Sequence, residues 1–142
     1  MASRPSQEDE AFWVVARSPV AESTGDAGKW LVFVPDGALD ESWSRIREAT
    51  EAGRLGPASK AASARPNPRA REGTKVIVIY TRDASDREDI GRVLTELRRL
   101  GLNGRLSYKR DAVTLEGQYG SGTSLYTSDP GSDEFHVPKR TR

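Results

Sequence analysis

The chain has 142 residues, no cysteine and one histidine, His136. Without cysteine there is no disulfide framework, no thiol nucleophile and no cysteine-ligated zinc or iron–sulfur centre. One imidazole rules out a multi-histidine metal site, and its place near the C-terminus argues against a Ser-His-Asp triad. No apolar run approaches the ~18–20 residues that a membrane helix needs. Residues 1–10 (MASRPSQEDE) are polar and acidic, unlike a secretory signal. No internal repeat and no Walker-type glycine loop is present. The apolar fraction, 35%, is lean and the charged fraction, 30%, is somewhat high, which fits one ordinary domain around one core. The expectation is a cytoplasmic, membrane-free protein with no metal and no cofactor; composition says nothing of its oligomeric state.

What is present is charge, unevenly placed. The net charge is only +1. Between residues 54 and 82, however, Arg54, Lys60, Arg65, Arg69, Arg71, Lys75 and Arg82 face a single acid, Glu72. A basic block inside a nearly neutral chain is a local field. It reads either as a solvated loop or as a site for phosphate, nucleotide or RNA backbone.

The chain divides into a disordered tail (1–10), a single α+β domain (11–126) and a flexible C-terminal tail (127–142), the tails being rich in turn formers and charge. Phe12-Trp13-Val14-Val15-Ala16 and Lys29-Trp30-Leu31-Val32-Phe33-Val34 read as strands, most simply an antiparallel pair. Leu39, Trp43, Ile46 and Thr50, with Ser42 and Ala49, mark one face of a helix over 38–52, and Gly53 suits its C′ position. The small residues at 58–65 suggest a short strand ended by Pro66-Asn67-Pro68. Val76-Ile77-Val78-Ile79-Tyr80 is apolar on both faces and belongs inside its sheet. Ser85-Asp86-Arg87-Glu88 has the pattern of a capping box for a helix over 86–100. That helix buries Ile90, Val93, Leu94, Leu97 and Leu100, and ends at Gly101 with Leu102 folding back. Asn103-Gly104 turns into a strand at 105–109, and residues 118–126 suggest one more. Paired strands alternating with single helices favour α+β: a curved, mostly antiparallel sheet with helices packed on one face.

Among candidate sites, Gly117, Gly120 and Gly122 lack the following helix that a dinucleotide fold requires and read as a turn. Asp83, Asp86 and Asp89 crowd a helix start, where the dipole already favours them; a metal there would compete with Arg82 and Arg87. Trp43 lies on a buried helix face, and burial is the simplest reading of Trp13 and Trp30. The cations carry the chemistry. Lys60 and Arg65 flank a run of very small side chains, and Arg82, Lys109 and Arg110 leave the ends of strands. If those strands are neighbours, four or five of these cations converge on one side of the sheet, Arg65 joining Lys60 there only if the strand ends or twists near Ala64, with arginine forks and lysine point charges suited to phosphate.

Three segments, Lys60-Ala61-Ala62-Ser63-Ala64-Arg65-Pro66-Asn67, Val78-Ile79-Tyr80-Thr81-Arg82-Asp83 and Tyr108-Lys109-Arg110-Asp111-Ala112-Val113-Thr114-Leu115-Glu116-Gly117-Gln118-Tyr119, resemble signature segments of the basophilic-leukaemia-expressed protein family. The resemblance runs from residue 29 to about residue 119. It implies a fold like that of the cap-binding translation initiation factor 4E, in which Trp43 resembles the structural tryptophan of a helix. In that factor two tryptophans sandwich a guanine, a glutamate holds the base edge and Arg/Lys hold the phosphates; here only the cations have evident counterparts. Some bacterial relatives are described as phosphothreonine-lyase-like, a chemistry that uses a lysine base.

The leading expectation is a binding protein for a phosphorylated small molecule, nucleotide or RNA end, held by Lys60, Arg65, Arg82, Lys109 and Arg110. The alternatives are a small lyase or tailoring enzyme with Lys60 or Lys109 as base, and an interaction module whose basic block meets an acidic partner.

Overall fold

The computed structural model describes residues 4–20, 22–65, 73–111 and 124–138. Six strands, Trp13–Arg17 (β1), Gly28–Pro35 (β2), Ala58–Ala62 (β3), Thr74–Thr81 (β4), Leu106–Arg110 (β5) and Tyr126–Ser128 (β6), pair antiparallel in the order β1-β3-β4-β2-β5-β6. Two helices, Leu39–Glu51 (α1) and Arg87–Arg99 (α2), interrupt them. The expected element order and α+β class hold, and β4 lies inside the sheet between β3 and β2.

Alternation assigns the two faces. Val14 and Ala16 of β1, Trp30, Val32 and Val34 of β2, Ala61 of β3, Ile77 and Ile79 of β4, and Leu106 and Tyr108 of β5 share one core with the buried stripes of α1 and α2. Those stripes are Leu39, Trp43, Ile46 and Ala49, then Ile90, Val93, Leu94 and Leu97. Both helices therefore cover the same face, and the residues between, such as Lys29, Lys60, Tyr80 and Lys109, point the other way. Each large apolar side chain buried here contributes about 1.5–3 kcal/mol. Inside this core the indole of Trp30 donates to the Ile90 carbonyl at 3.2 Å, and Tyr108 hydrogen-bonds Thr81. Burial pushes the Tyr108 phenol up to about 12. Gly28 makes room for that ring, because a Cβ there would fall 1.9 Å from the Tyr108 hydroxyl.

Four expectations are corrected. First, β1 and β2 do not pair: β1 is an edge strand on β3, and β2 is bracketed by β4 and β5. The reason is burial, since β2 is buried at six of its eight positions and needs a neighbour on each side, whereas β1 is buried only at Ala16. Second, the N-terminal residues from Arg4 are not loose. A 3-10 turn at Pro5–Gln7 buries Pro5, Ala64 donates to the carbonyls of Pro5 and Glu8 at 3.0 and 2.8 Å, and the Ser6 amide donates to Asp40 at 3.0 Å. Third, the C-terminal residues up to Pro138 are not a free tail: β6 pairs with β5, Thr127 bridges His136, and Phe135 packs on the core. The extra strand sits at the very end of the expected 118–126 window and beyond it; residues 118–123 lie outside the described residues. Fourth, the N-cap of α2 is Asp86, which accepts from the Asp89 amide, while Ser85 is held by Asp83 through both its amide and its hydroxyl. Among the described residues, no helix is long and apolar enough to cross a membrane.

Candidate functional site

On the face away from the helices, register places cations next to aromatic rings. Lys29 of β2 lies opposite Tyr80 of β4 and opposite Lys109 of β5. Lys60 of β3 lies opposite Val15 and Val78, two positions further along the strands. The Lys60 ammonium stands 4.2 Å from the centroid of Trp13 and 5.6 Å from that of Tyr80. The Lys29 ammonium stands 5.9 Å from Tyr80 on the other flank and pairs with Asp111 at 3.1 Å. One phenol ring thus lies within reach of two ammonium groups, and a third lysine follows on the next strand.

Lys29 and Lys109 are buried, at 2% and 8% exposure. Burying an ammonium is costly unless it is paired, because water solvates it better than any apolar lining. Lys29 has Asp111. The Lys109 ammonium has no hydrogen bond or ion pair among the described residues, and its pKa is lowered first by burial and then by the neighbouring Lys29. The pKa of Lys60 is lowered by burial too, with Asp111 pulling the other way. Burial raises the Tyr80 phenol, Asp111 adds to the rise and Lys29 opposes it. Among the described residues this patch holds three ammonium groups and one carboxylate, and the Lys109 ammonium is a donor that an anion would satisfy.

The other three expected cations lie elsewhere. The Arg65 guanidinium stacks 4.0 Å over the Phe12 ring and donates to the Glu10 carbonyl at 2.6 Å, which ties it to the N-terminal segment. Arg82 and Arg110 leave one end of the sheet, since Gly28 pairs with both Thr81 and Arg110. Each is answered by a carboxylate: Arg82 by Asp86 at 3.9 Å and Arg110 by Asp26 at 3.4 Å. The strands that carry Arg82 and Lys109 are not neighbours, because β2 runs between them. That intervening strand brings in Lys29, which sequence reasoning missed. Its one signal was a lysine at the start of an otherwise apolar run.

The remaining candidates have structural explanations or lie outside the described residues. Asp86 caps α2, Asp83 holds Ser85, and Asp89 pairs with Arg92 at 2.9 Å. No group of three metal-ligating side chains occurs among the described residues. Trp43 and Trp30 are buried, as expected, whereas Trp13 is only half-buried. Gly117, Gly120 and Gly122 are outside the described residues, as are Arg69 and Arg71.

Comparison with solved structures supports the fold. The eIF4E-3 of Ascaris suum bound to the m7G cap is similar with a TM-score of 0.50 at 16% identity, over 68% of this chain and 60% of that one. The complex of C. elegans eIF4E-3 with the 4E-binding protein Mextli and a cap analog gives a TM-score of 0.49 at 21% identity, over 70% of this chain and 57% of that one. The chain thus spans less than two thirds of the length of these proteins. The curved antiparallel sheet backed by two helices is of the initiation factor 4E type, as the three sequence segments implied. The family model of basophilic leukemia-expressed protein Bles03 matches residues 17–116, and the chain belongs to that family.

Proposed function

We propose that this chain is a cytoplasmic protein that binds a phosphorylated ligand, a nucleotide or RNA end, on the sheet face away from the helices. Lys109 carries the reading. Its ammonium is buried beside Lys29 with no partner among the described residues, and an anion would complete it. A charge-assisted hydrogen bond there is worth about 1.5–3 kcal/mol. Lys60 supplies a second cation, and the half-buried Trp13 beneath it supplies a ring for a base. The solved complex of Ascaris suum eIF4E-3 with the m7G cap supports the ligand class, because a cap is a phosphorylated nucleotide and that protein has a fold of the same kind. For Arg65, Arg82 and Arg110 the reading leaves an outer role, a field that steers an anion toward the lysines.

Thermal-shift titration with nucleotides and capped and uncapped RNA tests this. Binding should stabilise the fold and weaken as salt rises. Lys109→Met and Lys60→Met should each weaken binding about ten- to a hundredfold. No shift with any of these ligands at low salt would overturn the reading and leave an acidic protein partner as the better one.

A second reading is favoured by one observation: burial lowers the pKa of both Lys60 and Lys109, which is what a lysine base requires. A small lyase or tailoring enzyme would use one of them to abstract a proton. Lys→Arg separates the two cases, since arginine keeps the charge but does not release its proton near neutral pH. Retained binding with turnover abolished at one lysine alone would establish the enzyme.

A further inference from the structure

Phe33 interrupts a buried strand. Every other residue of β2 from Gly28 to Val34 is buried, yet Phe33 is 62% exposed. It belongs to a row that crosses the sheet on the lysine face. Trp13 of β1 lies opposite Ala62 of β3, and Phe33 of β2 lies opposite Val76 of β4. The β3–β4 register, with Ala61 opposite Ile77, sets Ala62 beside Val76. Trp13, Ala62, Val76 and Phe33 therefore form one line across four strands, and none of the four is buried. With adjacent strands ~4.8 Å apart, its two rings are about 14 Å apart, farther than a single base spans. Small side chains, Ala62 and Val76, keep the line low between them. Lys60 lies two residues along β3 from Ala62, about 7 Å from the row; on the same side, Lys29 lies four residues along β2 from Phe33, about 13 Å from the row, with Lys109 beside it on β5.

We propose that this row is a stacking platform for single-stranded nucleic acid, with one base on Trp13, another on Phe33, and the intervening phosphates turned toward Lys60 and the Lys29–Lys109 pair. The inference rests on the phosphate-binding reading above and extends it from one nucleotide to an oligonucleotide. Flat rings on a sheet accept any base, because every base has a π-face, and cations on one side of the row, Lys60 near it and the Lys29–Lys109 pair farther out, suit a charged backbone that leaves the rings on that side. A duplex would leave the rings unused, since its bases are already stacked on one another. An acidic peptide would meet the lysines but has no use for two separated rings. The Lys60 ammonium, now over the Trp13 ring, has a flexible stem and can exchange that ring for a phosphate when a base takes its place.

Fluorescence anisotropy of the full chain with 5′-phosphorylated, fluorescein-labelled oligouridylates, with unlabelled uridine monophosphate as competitor, tests the proposal. An eight-nucleotide strand should bind at least tenfold more tightly than the monophosphate. Phe33→Ala should lower the affinity for that strand by about tenfold and narrow its advantage over the monophosphate. Trp13→Ala should act in the same direction. Phe33 is exposed, so its variant is expected to fold, which far-ultraviolet circular dichroism checks. Octanucleotide affinity unchanged in Phe33→Ala, equal binding of a duplex, or a Phe33-dependent affinity for a glutamate-rich peptide equal to that for the strand would overturn the platform. If the monophosphate binds and the octanucleotide binds no more tightly, the platform fails while the phosphate site stands. If neither binds, both fail.

Discussion

A buried ammonium without a carboxylate beside it raises the energy of the fold, because burial penalises the charged form more than the neutral one. Among the described residues Lys109 is such a group, and burial lowers its pKa below the ordinary value of 10.5. The sign of the consequence is fixed by proton counting. Between the folded pKa and about 10.5 the unfolded chain holds a proton that the folded chain has released, so this group makes stability rise with pH across that window. Below the window its full cost is present. Lys109→Met should therefore stabilise the fold at pH 7 by about 1–2 kcal/mol while weakening anion binding. The gain should shrink as pH approaches 10.5, since tyrosine ionisation affects both proteins alike. Urea melts of both proteins from pH 7 to 10 check this, and a destabilised variant at pH 7 would show that Lys109 has a structural partner. Lys60 and Lys109 were legible in the sequence because each stands in or at the end of a recognisable strand. Lys29 was not, since nothing near it in the chain says that β5 will lie beside β2.

Helix ends were more legible than strand partners, because a cap is a local object and a sheet is not. Gly53 and Gly101 both take positive φ at the C′ position, at 77° and 91°. The paired bonds of a Schellman motif follow each helix: Arg54 to Ala49 and Gly53 to Thr50, then Leu102 to Leu97 and Gly101 to Arg98. The start of α2 shows the limit of local reading. Ser85 and Asp86 are both good caps, and the box pattern pointed to Ser85. The Asp83 carboxylate captures the Ser85 amide and hydroxyl at 2.9 and 2.7 Å, which leaves Asp86 to accept the Asp89 amide at 3.1 Å. Asp86→Ala should cost about 0.5–2 kcal/mol in chemical denaturation. Ser85→Ala should cost clearly less, and a larger loss at Ser85 would return the cap to it. The pairing expected of β1 and β2 failed for a reason visible in their burial. Two strands buried on both faces, β2 and β4, satisfy each other at the centre, and β1 with its single buried residue is left for the edge.

At the scale of the whole molecule, topology assembles both the lysine patch and the structure that holds the chain's later residues in place. Lys29 and Lys109 come from distant stretches and meet because β2 lies between β4 and β5, and Lys60 joins them across Tyr80 because β3 lies beside β4. The residues after β5 return to the sheet through Arg98, in the last turn of α2. Its guanidinium donates to the carbonyls of Leu102, Gly104, Asp129 and Ser132 at 2.6–2.8 Å and to the Ser128 hydroxyl at 3.0 Å. Beside it, Phe135 packs edge-on against Tyr126 and Trp30, with ring centroids 4.9 and 6.1 Å away. A run of Gly, Ser, Asp and Pro reads as a tail from composition, because the anchors belong to residues far from it in the chain. Two substitutions separate a tail from an anchored segment. Arg98→Met leaves up to four carbonyls without their shared donor and should cost about 2–4 kcal/mol. Phe135→Ala removes one ring from the aromatic cluster and should cost about 1–3 kcal/mol, less than a fully buried phenylalanine because the ring is only partly covered. Urea denaturation followed by tryptophan fluorescence measures both, since Trp30 lies in the affected cluster. A free tail would leave both midpoints unchanged, and that result would detach the segment after β5 from the fold.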